Sequence, residues 1–257
     1  MSDNAPVVVL CAMDSEAVHL RRRLSDAVEE PLHIWRRTRG RLGSLPVELI
    51  VCGIGMVNAA AATSAVCISG RPRAILNYGC SGAHRDDIDC GDVVIGERVI
   101  HFSSYYVEPD GNLRHMGFRV GFDDHRHYDA LPADPELLEI AVSAATGVEL
   151  PDWPGVAHAP VVHVGGVGSA DIWTQHGETI QTLHGRHNSL CEDMEAAAIA
   201  QIAATFGIPF LAVKDISNNE LQVVTDLDDG GDILLHVQNE IGLRAACVAE
   251  AVIAAMA

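Results

Sequence analysis

Short unbroken apolar runs alternate along this chain with longer helical or alanine-rich stretches, a rhythm that predicts buried strands joined by helices. Residues 6–13 form the first run, and Asp14-Ser15-Glu16 then opens a helical pattern through Leu20 and Leu24. Residues 45–52 predict a second buried strand. Gly53-Ile54-Gly55 follows as a tight turn, and Asn58 as the cap of an alanine-rich helix ending near Gly70. A third strand over 74–78 is expected to stop at Gly79-Cys80-Ser81-Gly82, and further strands are expected at 92–99, 161–164 and 210–213. Helical spacing marks 195–206, closed by Gly207-Ile208-Pro209, and 234–256. The stretch 101–132 has no firm period and reads as long loops with short strand pieces. Strands alternating with helices predict an α/β fold, a single domain over 1–257 whose mixed β-sheet is covered by helices on both faces.

Composition narrows the function classes. With 48% hydrophobic residues among 257, the chain has ample material for one sizeable core, and no Pro/Gly/Ser-rich linker divides it. A formal net charge of −18 argues against nucleic acid as a partner, because a polyanion would be repelled unless a basic patch existed. The short basic cluster Arg21, Arg22 and Arg23 reads as a solvated helix face. Seven scattered cysteines, mostly in apolar runs, point to reduced buried thiols and a cytoplasmic location. No run approaches the length of a membrane span, so no membrane partner is expected.

Ligands of open α/β sheets bind beyond the carboxyl ends of the strands. Four such ends carry unusual residues here, at 13–16, 53–58, 79–82 and 214–218. Gly53-Ile54-Gly55 begins like a dinucleotide fingerprint, but Asn58 stands at the third glycine position, which disfavours a nicotinamide cofactor. The nearest pair among the thirteen histidines, His125 and His127, has no cysteine or carboxylate set to complete a metal site. Neither metal nor cofactor is therefore expected. Glu192, Asp193 and Glu195 sit where acidic residues complement a helix dipole. For Glu195 the company of Glu16 at one strand end and the polar stretch 214–219 at another favours a site.

At these stretches the chain resembles the purine nucleoside phosphorylase superfamily, and within it the hydrolytic methylthioadenosine/S-adenosylhomocysteine nucleosidases. The resemblance is carried by Ala12-Met13-Asp14-Ser15-Glu16, Gly53-Ile54-Gly55-Met56-Val57-Asn58-Ala59-Ala60, and Asn77-Tyr78-Gly79-Cys80-Ser81-Gly82 with Gly91-Asp92-Val93-Val94. Asp193-Met194-Glu195-Ala196-Ala197-Ala198-Ile199-Ala200 is the most specific segment, and 210–218 closes the set. The resemblance implies that Glu195 binds the ribose hydroxyls with Met194 packed on the sugar, that Glu16 activates the attacking water, and that Trp173 lies against the base. It also lines the substrate site with Met13, Ile54, Cys80, Ser81, Gly82 and Lys214. A small-molecule purine nucleoside is then the partner, and a homo-oligomer of two or more chains, with the aromatic stretch 102–106 as a candidate contact, is the expected assembly.

Departures from that family keep alternatives open. Ser217-Asn218 stands where the methylthioadenosine branch has a serine followed by the aspartic acid that protonates the purine N7. An amide donates a hydrogen bond but delivers no proton. Asn218 at this point resembles futalosine hydrolases and trimeric phosphorylases, which take 6-oxopurines, while Asp215 as the acid would lie on the opposite strand face. Lys214 replaces an arginine and Cys80 a serine or similar small residue. A phosphorylase would need a phosphate site, yet Glu16 would repel phosphate and Asn77 stands where an arginine is expected, with Arg85 a partial substitute. A catalytically silent binding or storage protein on the same fold has no need of Glu16, Met194 and Glu195.

Overall fold

The structure is a computed structural model that describes residues 5–121, 126–226 and 237–257. Among them, strand β1 (Val7–Cys11) is wholly buried, as its unbroken apolar run requires, and leads into helix α1 (Asp14–Arg21). A hairpin of β2 (Ser25–Leu32) and β3 (Trp35–Leu42) follows, and then β4 (Leu45–Val51), α2 (Met56–Ser69) and β5 (Ala74–Ala83). Next come β6 (Val93–His101) and five short strands, β7 (Tyr105–Val107), β8 (Leu113–His115), β9 (Phe118–Val120), β10 (Arg126–Tyr128) and β11 (Leu131–Pro132). The second half runs α3 (Pro135–Ala145), β12 (Val162–Ser169), α4 (Gly177–His187), β13 (Ser189–Asp193), α5 (Ala196–Phe206), β14 (Phe210–Asn218) and α6 (Leu243–Ala255).

The main sheet has two parts that share β5. An open wing runs β5-β1-β4-β3-β2. On the other side β5 pairs with β14, β14 with β6, β6 with β12, β12 with β13, and β13 returns antiparallel to β5, which closes a small five-stranded barrel. The alanine-rich helices α2 and α5 pack together on one face, with Ala59, Ala62, Ala197 and Ala200 letting backbones approach. Helices α1, α3 and α6 cover the other face over Val9, Leu76 and Val213, with Val248 of α6 packed among them. The mixed sheet between two helical layers is the expected α/β arrangement. Among the described residues no helix is long and apolar enough to cross a membrane.

Several boundaries differ from the sequence reading. Strand β5 does not stop at Gly79-Cys80-Ser81-Gly82 but runs through to Ala83, because β14 pairs with it along this stretch. Strand β12 likewise passes its glycine pair by a bulge at Gly165/Gly166. Asn58 is not the cap of α2: Gly55, at φ 98°, holds that position, and Asn58 lies inside the first turn with its Nδ2 donating to Ile54 O at 2.7 Å. Glu195 precedes α5 as its cap, and Glu192 and Asp193 belong to β13. The last helix starts at Leu243, later than the expected 234; residues 234–236 of the expected span lie outside the described residues, as does His125. Arg21 and Arg23 are not free surface charges, since Arg21 meets Asp14 and Glu29 while Arg23 meets Glu250. The stretch 102–106 divides, with Phe102 buried against Ile100, Ala170 and Leu183 and Tyr106 exposed.

Candidate active site

The site forms at a break in strand pairing. One edge of β5 is paired with β1 over residues 74–77 and with β13, from the opposite direction, at Gly82 and Ala83. Between these two partners the edge is open. The carboxylate of Glu16 fills the gap: its Oε1 accepts from Cys80 N at 2.8 Å, and its Oε2 accepts from Ala12 N and Met13 N, both at 2.9 Å. Three main-chain donors thus fix a carboxylate that is 2% exposed, leaving one of its roughly four acceptor positions for a ligand. Gly79 is required beneath it, because a Cβ there would run into the Glu16 carboxylate and its φ of +149° disfavours any side chain. Gly79→Ala is expected to cost roughly 1–3 kcal/mol of stability, read as a lower unfolding midpoint by calorimetry.

Glu195 enters the same cavity from the start of α5. Its Oε1 accepts from Gly55 N at 2.8 Å, the orphan N–H of the Gly53–Gly55 turn. Burial above all, and then the neighbouring Asp193, raise its carboxyl above the usual carboxylate range, against the pull of Lys214 and the Gly55 N–H. Asp193 turns the other way: it accepts from Ala196 N, the first N–H of α5, at 2.9 Å and ion-pairs with Lys214 Nζ at 2.6 Å. Burial works against the Lys214 ammonium, but Asp193 and then Glu195 outweigh it and hold the lysine charged.

The cavity, of about 300 Å³, lies at the small end of ligand sites. Met13, Glu16 and Ile54 line it together with Cys80, Ser81 and Gly82. Trp173, Met194, Glu195 and Asn218 complete the wall foreseen from sequence. The Cys80 thiol is pushed well above its ordinary pKa, by burial first and then by Glu16, so it stays neutral. Strict alternation along β14 would turn Ser217 away from Asn218, yet both face the cavity, because the register shifts between Ile216 and Asn218. Ser217 Oγ donates to Asn218 Oδ1 at 2.9 Å, and Asn218 Nδ2 donates to Glu220 Oε1 at 2.9 Å.

One expected site residue is not there. Lys214 does not line the cavity; it is 1% exposed and lies behind the site against Asp193, a supporting charge rather than a ligand contact. Asp215 also points away, accepting from Arg244 N at 2.9 Å at the start of α6, and burial raises its carboxyl to about 7 despite Arg244. Asn77 is buried with its Nδ2 on Leu10 O, and Arg85, half-buried, is paired with Asp87. Sequence reasoning missed Glu192, which lines the cavity from β13. The apolar Leu190-Cys191 pair just before it, followed by the acidic residues, was the available strand signal.

A three-layer α/β sheet with a carboxylate-lined cavity at its strand ends defines a ligand-binding enzyme class, and comparison with known proteins supplies the family. The model of the phosphorylase superfamily matches residues 6–254, and the chain belongs to that superfamily. It is 29% identical over 215 residues to the 5′-methylthioadenosine/S-adenosylhomocysteine nucleosidase of Geobacillus thermodenitrificans, covering 82% of each chain. It is 28% identical to the Bacillus velezensis nucleosidase of the same name, covering 86% of this chain and 90% of that one. Among solved structures, a mutant Helicobacter pylori nucleosidase with 5′-methylthioadenosine in its active site superposes with a TM-score of 0.78 at 17% identity, covering 97% of this chain and 98% of that one. A futalosine hydrolase mutant of Helicobacter pylori gives 0.78 at 16% identity over 97% and 99%. At these identities the two structures speak for the fold.

Proposed function

We propose that this protein hydrolyses the N-glycosidic bond of a purine nucleoside, releasing the free base and a ribose derivative. The observation that carries this reading is Glu16, a buried carboxylate fixed by three main-chain N–H groups in a cavity shared with Glu195. Water is the nucleophile. Its oxygen bonds to the sugar C1′ as the bond from C1′ to the base breaks, its proton passes to Glu16, and the base leaves with the bonding electron pair and takes a proton from solvent, Asn218 offering it a hydrogen bond but no proton. Glu195 accepts from the ribose hydroxyls, and its negative charge favours the cationic sugar of the transition state. Met194 packs on the sugar. Trp173 offers the base a flat face, and Asn218 offers it a hydrogen bond.

Hydrolysis is favoured over phosphorolysis by charge. Among the described residues no arginine or lysine lines the cavity, whereas Glu16, Glu192 and Glu195 do, a poor setting for an inorganic phosphate. The same reading makes the protein a cytoplasmic homo-oligomer of a single-domain chain. Ile54 and Ile172, beside the cavity, are 53% and 46% exposed, as a covering partner would require.

The test is base release from methylthioadenosine, S-adenosylhomocysteine, adenosine, inosine and futalosine, each with and without phosphate. Release at equal rates in both conditions is expected for at least one nucleoside. A strict requirement for phosphate would make the protein a phosphorylase, and silence with every nucleoside would favour a binding protein.

A further inference from the structure

Three N–H groups hold the Glu16 carboxylate in the gap of β5, and the start of α6 packs against the stem of the same side chain. We infer that Gly242 and Asp215 are positioning residues for Glu16: Asp215 anchors the first turn of α6 to β14, and Gly242 lets that turn rest on the Glu16 stem. Their role rests on Glu16 being the group that activates water.

The contact is close. A Cβ on Gly242 would lie 3.2 Å from both Cα and Cβ of Glu16 and 3.4 Å from its Cγ, so a side chain there would have to push α1 or α6 back. The φ of Gly242, +78°, also favours glycine. At the far end of the Glu16 side chain, a Cβ on Gly79 would run into the carboxylate itself. Tyr78 Oη ties down the main chain of the same residue, donating to Glu16 O at 2.6 Å. Glu16 is thus enclosed by two glycines, with little room to swing out of the gap.

Asp215 sets the height of the α6 turn. Gly242 is the cap of α6 and has no side chain to accept from the first N–H groups of the helix. Asp215 reaches them from β14: its Oδ2 accepts from Arg244 N at 2.9 Å and, at 3.5 Å, from Ala245 N. Its Oδ1 is buried and has no hydrogen-bond partner among the described residues, so the hydrogen bonding of this carboxyl is spent on the start of α6.

Arg244 keeps that helix from turning. Its buried guanidinium donates to Pro151 O and to Glu240 Oε2, each at 2.8 Å, and lies 4.8 Å from the centre of the Trp153 ring. Ile241, next to Gly242, joins Trp153 in an apolar cluster that takes in Met13, Cys80 and Trp173 of the cavity wall. Asp215 shares β14 with Ser217 and Asn218, so one strand both lines the cavity and holds the helix that backs Glu16. A displacement of α6 therefore reaches the Glu16 carboxylate before it reaches Glu195 or Asn218.

The test is a cycle on kcat for whichever nucleoside the wild-type protein turns over. Folded Gly242→Ala is expected to lose about tenfold in kcat, below the roughly hundredfold cost of an ångström of misplacement, with KM held within about threefold. In the Glu16→Gln background the same substitution is expected to change the remaining kcat by less than about twofold, because the group it displaces is no longer a base. Asp215→Ala is expected to follow Gly242→Ala in both backgrounds. Asp215→Asn keeps an oxygen for Arg244 N and is expected to retain kcat to within about threefold. An unchanged kcat in folded Gly242→Ala, a loss carried by KM, an equal loss in both backgrounds, or an equal loss in Asp215→Ala and Asp215→Asn overturns the inference while leaving hydrolysis standing. Where Gly242→Ala does not fold, the Asp215 variants carry the cycle. If the wild-type protein turns over no nucleoside, the hydrolytic reading fails by itself, and NMR decides the positions. The side-chain carboxyl carbon of Glu16, seen with isotope-labelled glutamate and assigned by its loss in Glu16→Gln, is expected to shift in Gly242→Ala and Asp215→Ala and to stay in place in Asp215→Asn. A resonance that stays in place in all three overturns the inference.

Discussion

Glu16→Gln lowers kcat by about 10²- to 10⁴-fold, the range for loss of a positioned general base, and changes KM for the same nucleoside much less. The size follows from what the substitution does at the gap in β5. Each carboxylate oxygen of Glu16 accepts from the main chain, Oε1 from Cys80 and Oε2 from Ala12 and Met13. A glutamine amide group replaces one of those acceptors with a donor, so at least one N–H is left facing another N–H, a structural loss of about 1–3 kcal/mol. Activity loss from misfolding and activity loss from the missing base are separable. A folded Glu16→Gln protein that still binds free base as tightly as wild type, yet turns over slowly at saturating nucleoside, supports the assignment. Unchanged kcat in a folded variant would show that water is activated elsewhere.

Lys214→Met destabilises the protein by about 3–5 kcal/mol, the range for removing one partner of a buried ion pair. At this chain length that amounts to roughly 10 °C in the unfolding midpoint. Lys214 Nζ and Asp193 Oδ2 are 2.6 Å apart and both side chains are essentially inaccessible, so methionine leaves the Asp193 charge buried without its cation. Adding Asp193→Asn to Lys214→Met removes that charge, and the double variant should regain part of the loss, a coupling that a thermodynamic cycle measures directly. The lysine also opposes the rise in the Glu195 pKa. Its loss therefore favours protonated Glu195, and the remaining activity should shift toward higher pH. A Lys214→Met protein as stable as wild type would mean that Asp193 is neutral or hydrated in solution.

Much of the fold was legible because a fully buried strand needs an unbroken apolar run, and β1 and the opening residues of β5 and β14 have one, while β4, interrupted by Glu48, alternates buried and half-buried positions. The hairpin β2–β3 was not legible. It is the edge of the sheet, rich in arginine and glutamate whose pairs such as Arg37 with Glu30 and Glu48 run between strands, so its sequence reads as polar surface. Glycine runs read as stops were strand interior, because pairing with a distant strand supplied hydrogen bonds that local sequence does not report.

The candidate site divides in the same way. Its motifs at the strand ends marked Glu16, Glu195 and Asn218, and the structure brings all three to one cavity. Sequence alone could say that these residues lie at strand ends, since the change from apolar run to turn or helix is a local signal. Only the tertiary structure decided that β1 and β13 meet the same edge of β5 from opposite directions and leave Glu16 the gap between them. It also decided that barrel closure puts Lys214 behind the wall and Glu192 in it. The physical reason is that hydrophobic periodicity reports which face of an element is buried, whereas strand order and register are set by partners far away in the chain.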